Sequence, residues 1–201
     1  RNDLTRAKMA ASLYLMLPGN PYIYYGEEIG AAGSGVDPNK RLPFNWGDGK
    51  YNMKNPPGAN YDGTQKFGTW KSQNRSTSSI LTFYRNAIQL RNRFPEIGRG
   101  VMTPHGLMSD NKIKTQASIL AAGSSLNSTN SLNSSVAVYT LTWKNRTILI
   151  VHNTGTASVT LDTSEFAGYK LVGDLKANGG DVKLNDSTLT MSPATVALLH
   201  I

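Results

Sequence analysis

Cysteine is absent from the 201 residues. That removes disulfide frameworks, thiolate metal sites and cysteine nucleophiles at once. No apolar run approaches the roughly 18 residues a membrane helix needs, so no membrane partner is expected. Charged residues are sparse at 17% while hydrophobic ones reach 39%, a composition too apolar for wholesale disorder. An initiating methionine is missing as well: the chain opens on Arg1-Asn2-Asp3, which reads as a fragment or processed product without a signal peptide. The length suits one large domain or two small ones, with a core that needs no staples.

Acidic residues are also few, and unevenly so. Residues 1–100 hold 14 Lys+Arg against 7 Asp+Glu, and residues 101–201 hold 7 against 6. The basic residues are scattered singly and never form a run of four, which reads as a solvated surface and argues against a nucleic-acid partner. A basic half facing an acidic remainder of a longer protein is a second reading.

The pattern changes along the chain. Leu4, Ala7, Ala11 and Tyr14 recur at helical spacing, Asn2 or Asp3 can cap the start, and Pro18-Gly19 stops the run. From Met9 to Leu17 the helix is apolar nearly all round, which predicts burial on more than one side. Tyr22–Tyr25 then predicts a short strand buried on both faces. Residues 30–75 form a long polar stretch whose aromatics predict an ordered loop. Ile80, Tyr84, Ala87 and Ile88 define a second helix, capped by Ser76 or Thr77 and ended before Pro95. From about residue 101 the period becomes two. Val136–Trp143 and Arg146–His152 predict a hairpin through Lys144-Asn145, and further strands are expected near 157–161, 169–173, 181–184, 187–191 and 195–200. Such spacing predicts an antiparallel sandwich. The Ser/Asn/Thr/Leu tract between Ser124 and Ser135 reads as a mobile loop, and Asn127 and Asn133 open glycosylation sequons within it.

The run Leu17-Pro18-Gly19-Asn20-Pro21-Tyr22-Ile23-Tyr24-Tyr25-Gly26-Glu27-Glu28-Ile29-Gly30 resembles the segment around the eighth barrel strand of family 13 glycoside hydrolases, the α-amylase family. Lys40–Trp46 is similar to that family's Arg-x-Pro-(Met/Phe)-x-Trp loop. Tyr84–Pro95 is similar to its last barrel helix, and Val136 onward, closing on Ser192–Leu198, to its C-terminal sandwich. The resemblance implies an α+β chain, with the last helix–strand–helix of a (β/α)8 barrel over 1–100 and an antiparallel β-sandwich, Greek-key in type, over 101–201. It implies a retaining enzyme on α-1,4-glucans, starch or maltodextrin, whose three carboxylates lie upstream of Arg1, so no catalytic residue is expected in this chain. It implies no cofactor here, with Ca2+ possible in the parent enzyme, and secretion from a bacterium.

Several side chains are candidates for contact with sugar. Arg41 matches the loop arginine that in some relatives touches the glucose beside the scissile bond; its five fixed donors can hold a hydroxyl and a carboxylate together, or simply anchor the loop. Trp46, Tyr51, Tyr61 and Trp70 can stack on pyranose faces or pack the loop. Glu27 and Glu28 read as structural, because adjacent residues leaving a strand point to opposite faces and cannot flank one bond, as glycosidic carboxyls about 5–5.5 Å apart must. His105, His152 and His200 read as structural, and Asp37 and Asp48 form only a weak Ca2+ candidate. Two other readings stay open. One is an α-glucosidase or transglycosylase of the same family. The other is a non-catalytic carbohydrate-binding module using Tyr139, Trp143, Phe166 and Tyr169.

Overall fold

The computed structural model describes residues 4–49, 53–61, 66–107, 110–115, 118 and 135–201. Asn2, Asp3, Tyr51 and the sequon asparagines Asn127 and Asn133 lie outside the described residues, as does the Ser/Asn/Thr/Leu tract apart from Ser135.

Helix α1, Leu4–Leu15, forms where the apolar spacing places it, but its buried side is not purely apolar. Lys8 and Ser12 are buried with Met9, Ala11 and Leu15, while Ala10 and Leu13 are exposed. Both polar side chains find partners, as burial requires. Lys8 Nζ donates to the carbonyls of Ser78 at 2.6 Å and Ala177 at 3.3 Å, and Ser12 Oγ donates to the Met9 carbonyl at 2.7 Å.

Helix α2, Trp70–Gln73, is opened by a reciprocal capping box between Thr69 and Ser72. Helix α3, Ile80–Arg93, is capped by Ser79, not by Ser76 or Thr77: Ser79 Oγ accepts from the Thr82 amide at 3.1 Å. Ser76 closes a turn onto the Gln73 carbonyl, which delays the helix start. Helix α4, Pro95–Arg99, has its proline at the first helical position, where no amide hydrogen is needed. Carbonyls at and beyond the end of α1 need partners from outside the helix. Arg91 of α3 supplies three of them with donors, at Leu15 (2.6 Å), at Leu17 (2.7 Å) and at Gly19.

The strands are β1 Val101–Pro104, β2 Gly106–Leu107, β3 Ile113–Lys114, β4 Val136–Trp143, β5 Arg146–Asn153, β6 Val159–Asp162, β7 Lys170–Lys176, β8 Val182–Asn185, β9 Thr188–Met191 and β10 Thr195–His200. They form an antiparallel sheet in the order β1-β4-β5-β10-β7, a second in the order β6-β9-β8, and a small β2-β3 pair. Lys144 and Asn145 both adopt positive φ, as the tight hairpin between β4 and β5 requires.

Strand alternation divides the core in two. Tyr139, Leu141, Ile148, Ile150, Val196 and Leu198 face the helices and pack with Met16, Ile80, Phe83, Tyr84, Ala87 and Ile97. Val138, Leu149, Val151, Ala197 and Leu199 face the three-stranded sheet and meet Leu161, Val182, Leu189 and Met191. The architecture is mixed helix and strand with two antiparallel sheets face to face. One expectation fails: Tyr22–Tyr25 is not a strand. Tyr22 is 93% exposed, and the segment enters no ladder. A strand exists only through hydrogen bonds to a neighbour, and no described residue offers one there.

Candidate functional site

The Tyr22–Gly30 segment is held from below instead of from the side. Glu27–Ile29 forms one 3-10 turn, preceded by Gly26 at φ 85°. A side chain at Gly26 would be strained, and its Cβ would meet Ala31 Cβ at 2.9 Å. This turn aims the Glu27 carboxylate at three donors. Tyr14 Oη of α1 and Tyr84 Oη of α3 both donate to Glu27 Oε1, at 3.0 and 2.9 Å, and stand 3.1 Å apart. Glu27 Oε2 accepts from the Tyr24 amide at 3.1 Å. Burial chiefly, reinforced by the Glu27 carboxylate, pushes the Tyr14 hydroxyl up to about 12 and the Tyr84 hydroxyl higher still. Both tyrosines therefore stay protonated donors at neutral pH. The structural reading of Glu27 agrees with these contacts. Glu28 Oε2 is buried without a hydrogen-bond partner among the described residues.

Above this cluster lies a hollow of about 270 Å³, lined by Tyr24, Tyr25, Glu27, Gly33, Lys40 and Leu42 among others. Tyr25 Oη donates to the Leu42 carbonyl at 3.1 Å, which ties the two walls together. The Lys40–Leu42 wall is shaped by a 3-10 turn, Asp37–Arg41. Arg41 pairs with Asp37 across this turn, and both side chains are largely exposed. Arg41 is not among the residues that line the hollow. Trp46 is half-exposed and packs against Phe44 at 4.5 Å and Trp70 at 5.7 Å between ring centres. Trp70 and Trp46 are thus joined to each other, while Tyr61 is half-buried farther along the loop.

The residue that organises this loop has no obvious signal in the sequence. Asn39 is buried, and its Nδ2 donates to the Ser34 carbonyl at 2.7 Å and to Asn60 Oδ1 at 2.8 Å. Its Oδ1 accepts the amides of Asn60 at 2.9 Å and Tyr61 at 3.0 Å. One amide group thereby joins three parts of the 30–75 stretch with all its bonding capacity used. Gly33 lets the chain come so close that a Cβ there would sit 1.8 Å from the Asn39 carbonyl oxygen. Tyr14 and Tyr84 likewise carry no sequence signal as site residues, since each fits its helix as ordinary apolar periodicity. Gln73 completes the frame: its Nε2 donates to the Ile29 carbonyl at 2.8 Å and its Oε1 accepts from the Leu81 amide at 3.3 Å.

The remaining candidates are dispersed. His152 is buried and lies 3.0 Å from Tyr139 Oη, and burial drives it down to about 4. His105 meets Thr140 Oγ1 at 2.9 Å and is also lowered by burial. His200 lies 3.5 Å from Glu96 Oε1. None of the three histidines lines the hollow. Among the described residues no group of three histidine or acidic side chains could hold a metal ion, and Asp37 is engaged with Arg41. The aromatics assigned to a carbohydrate-binding module are occupied. Tyr139 and Phe166 are buried, Trp143 has Arg99 and Lys144 against its ring at 5.1 and 4.6 Å, and Tyr169 is half-buried with its edge on Phe166. No helix among the described residues is long and apolar enough to cross a membrane.

Comparison with known proteins bears on this geometry. Residues 1–100 match the family model described as "Alpha amylase, catalytic domain". The chain is 28% identical over 162 residues to "Alpha-amylase SusG" of Bacteroides thetaiotaomicron, covering 80% of this chain and 21% of that protein. It is 29% identical over 158 residues to "Alpha-amylase 3" of Dictyoglomus thermophilum, covering 75% of this chain and 26% of that protein. The solved structure of Eubacterium rectale Amy13B superposes on 99% of this chain and 35% of its own length, with a TM-score of 0.81 and 27% identity. The chain thus spans about a fifth to a quarter of the curated relatives it matches.

Proposed function

Because the chain belongs to the α-amylase family, we propose that it is part of a retaining glycoside hydrolase acting on α-1,4-glucans such as starch or maltodextrin. In this reading residues 1–100 complete the catalytic barrel and form one wall of its cleft, and residues 101–201 are the C-terminal sandwich that braces it. One observation carries the reading. Two stretches separated in sequence, Leu17–Gly30 and Lys40–Trp46, meet around a single hollow through the Tyr25–Leu42 hydrogen bond, and they are the stretches that resemble the family.

The chemistry follows from what this wall offers. Retaining hydrolysis uses one carboxylate as nucleophile and a second as acid and base, with a covalent glycosyl intermediate. Those groups belong to the remainder of the barrel in this reading. The present residues supply the surroundings. The rings of Tyr24 and Tyr25 offer flat apolar faces suited to pyranose C–H patches. Lys40 brings an ammonium donor to the hollow, and Arg41 stands next to it in sequence with its guanidinium paired to Asp37. Arg41 and Trp46 are assigned to substrate, Arg41 by exchanging part of its Asp37 pairing for a sugar hydroxyl and Trp46 through the exposed part of its ring. No cofactor is assigned to this stretch, and Ca2+ only to the parent. Secretion from a bacterium fits the many Asn, Ser and Thr residues.

The test is an assay of the full-length enzyme and of the 201-residue chain on maltoheptaose, with the first-formed anomer read by NMR. The whole enzyme releases the α-anomer and the chain alone releases nothing. Hydrolysis by the chain alone, or an initial β-anomer, overturns the reading.

A further inference from the structure

We infer that Glu27 is a positioning residue, one that fixes the Tyr24–Tyr25 wall of the glucan cleft by joining its backbone to helices α1 and α3. The inference rests on the cleft reading above. It begins from a deficiency: residues 20–24 belong to no sheet ladder, so their placement depends on other bonds. Around Tyr24 these are few. Its amide donates to Glu27 Oε2 at 3.1 Å, and its carbonyl accepts from the Glu27 amide at 3.0 Å. The same carboxylate receives Tyr14 and Tyr84 on its other oxygen. A displacement of either helix therefore reaches the Tyr24 backbone through one side chain. Among the described residues no cation stands within 4.0 Å of Glu27, and its partners are neutral donors.

Glu27 thus works through acceptor geometry, one carboxylate oxygen for each set of donors. Gln of the same length keeps one acceptor oxygen and turns amide hydrogens toward the other set. Ala removes both sets and leaves the Tyr14 and Tyr84 hydroxyls, among the described residues, with each other as hydrogen-bond partners. Tyr84→Phe keeps the carboxylate and removes one of its three anchors. A wall that binds substrate away from the reacting bond affects substrate binding more than turnover.

The experiment uses the full-length enzyme and maltoheptaose, comparing Glu27→Ala, Glu27→Gln and Tyr84→Phe with the wild type. Glu27→Ala is expected to raise KM about tenfold with kcat within about twofold, Glu27→Gln to bring KM back within about threefold, and Tyr84→Phe to raise it about two- to threefold. The pH profile of kcat stays in place in all three. An unchanged KM in folded Glu27→Ala overturns the inference, as does equal KM in the Ala and Gln variants, or a shifted pH profile in Glu27→Gln. Should Glu27→Ala not accumulate, Tyr84→Phe decides: wild-type KM in that variant overturns the inference. A wild-type enzyme without activity on α-glucans overturns the functional reading and this inference together. An active wild type with unmoved variants overturns this inference alone.

Discussion

The Tyr139 hydroxyl donates to the Met16 carbonyl at 3.0 Å, joining the end of the first helix to the second strand of the large sheet. A carbonyl only accepts, so the single hydroxyl proton is committed there. His152 Nε2, 3.0 Å from the same oxygen, must then be the donor, which places the imidazole proton on Nε2. Tyr139→Phe leaves the Met16 carbonyl and the His152 N–H without their partner in a buried place. Urea unfolding of the intact enzyme is expected to show a loss of about 1–3 kcal/mol, with little change in KM.

The same histidine gives a pH dependence whose sign is fixed. Its folded value is about 4 against an ordinary 6.5, because burial disfavours the charged form. Between those values the unfolded chain binds the proton and the folded chain does not. Stability from this group is complete above pH 6.5 and falls away as pH drops toward 4, by on the order of 3 kcal/mol. His105 is shifted in the same direction and adds to the slope. Equilibrium unfolding of His152→Gln between pH 7 and pH 4.5 is expected to show a flatter profile than the wild type.

Glu96 is fully buried in α4 and pairs with Arg146 Nε at 2.6 Å. Arg146 is half-exposed, so its removal leaves the buried carboxylate, among the described residues, with only His200 at 3.5 Å as an ion-pair neighbour, and deletes no core volume. Arg146→Ala is expected to destabilise by on the order of 2–3 kcal/mol, and adding Glu96→Leu to recover much of that loss, because the stranded charge is gone. Thermal unfolding of both variants checks the order.

Asn39→Ala removes four hydrogen bonds that hold residues 34, 39, 60 and 61 together. The expected outcome is protease nicking between residues 30 and 75 well before the wild type is cut, with weakened substrate binding, since Lys40 and Leu42 lose their footing. Limited proteolysis read by mass spectrometry measures it.

Much of the architecture was readable because it rests on local periodicity. The i, i+3, i+4 spacing of Ile80, Tyr84, Ala87 and Ile88 and the alternation in Val136–Trp143 each survive as a helix and a strand. Tyr22–Tyr25 shows the limit. Its side chains suit a strand, but pairing is a relation between segments, and one segment cannot reveal whether its neighbour is present. The candidate site was legible in its motifs and not in its supports. Arg41 and Trp46 stand out as chemistry, while Asn39, Tyr14 and Tyr84 look ordinary until the loop and both helices are brought together in space. Lys8 is a similar case: charge predicts solvent, and only the carbonyls of Ser78 and Ala177 explain its burial.

The central strands of the large sheet are covered on both faces. Helices cover Tyr139, Leu141, Ile148 and Ile150 on one face, and the smaller sheet covers Leu149 and Val151 on the other. Severing the chain after Gly100 would strip the first face bare and present an oily plane to water, the kind of surface that drives molecules to clump. The strand-rich half is therefore a lodger in a shared wall, and engineering that transplants it as a free-standing tag must bring α1, α3 and α4 along.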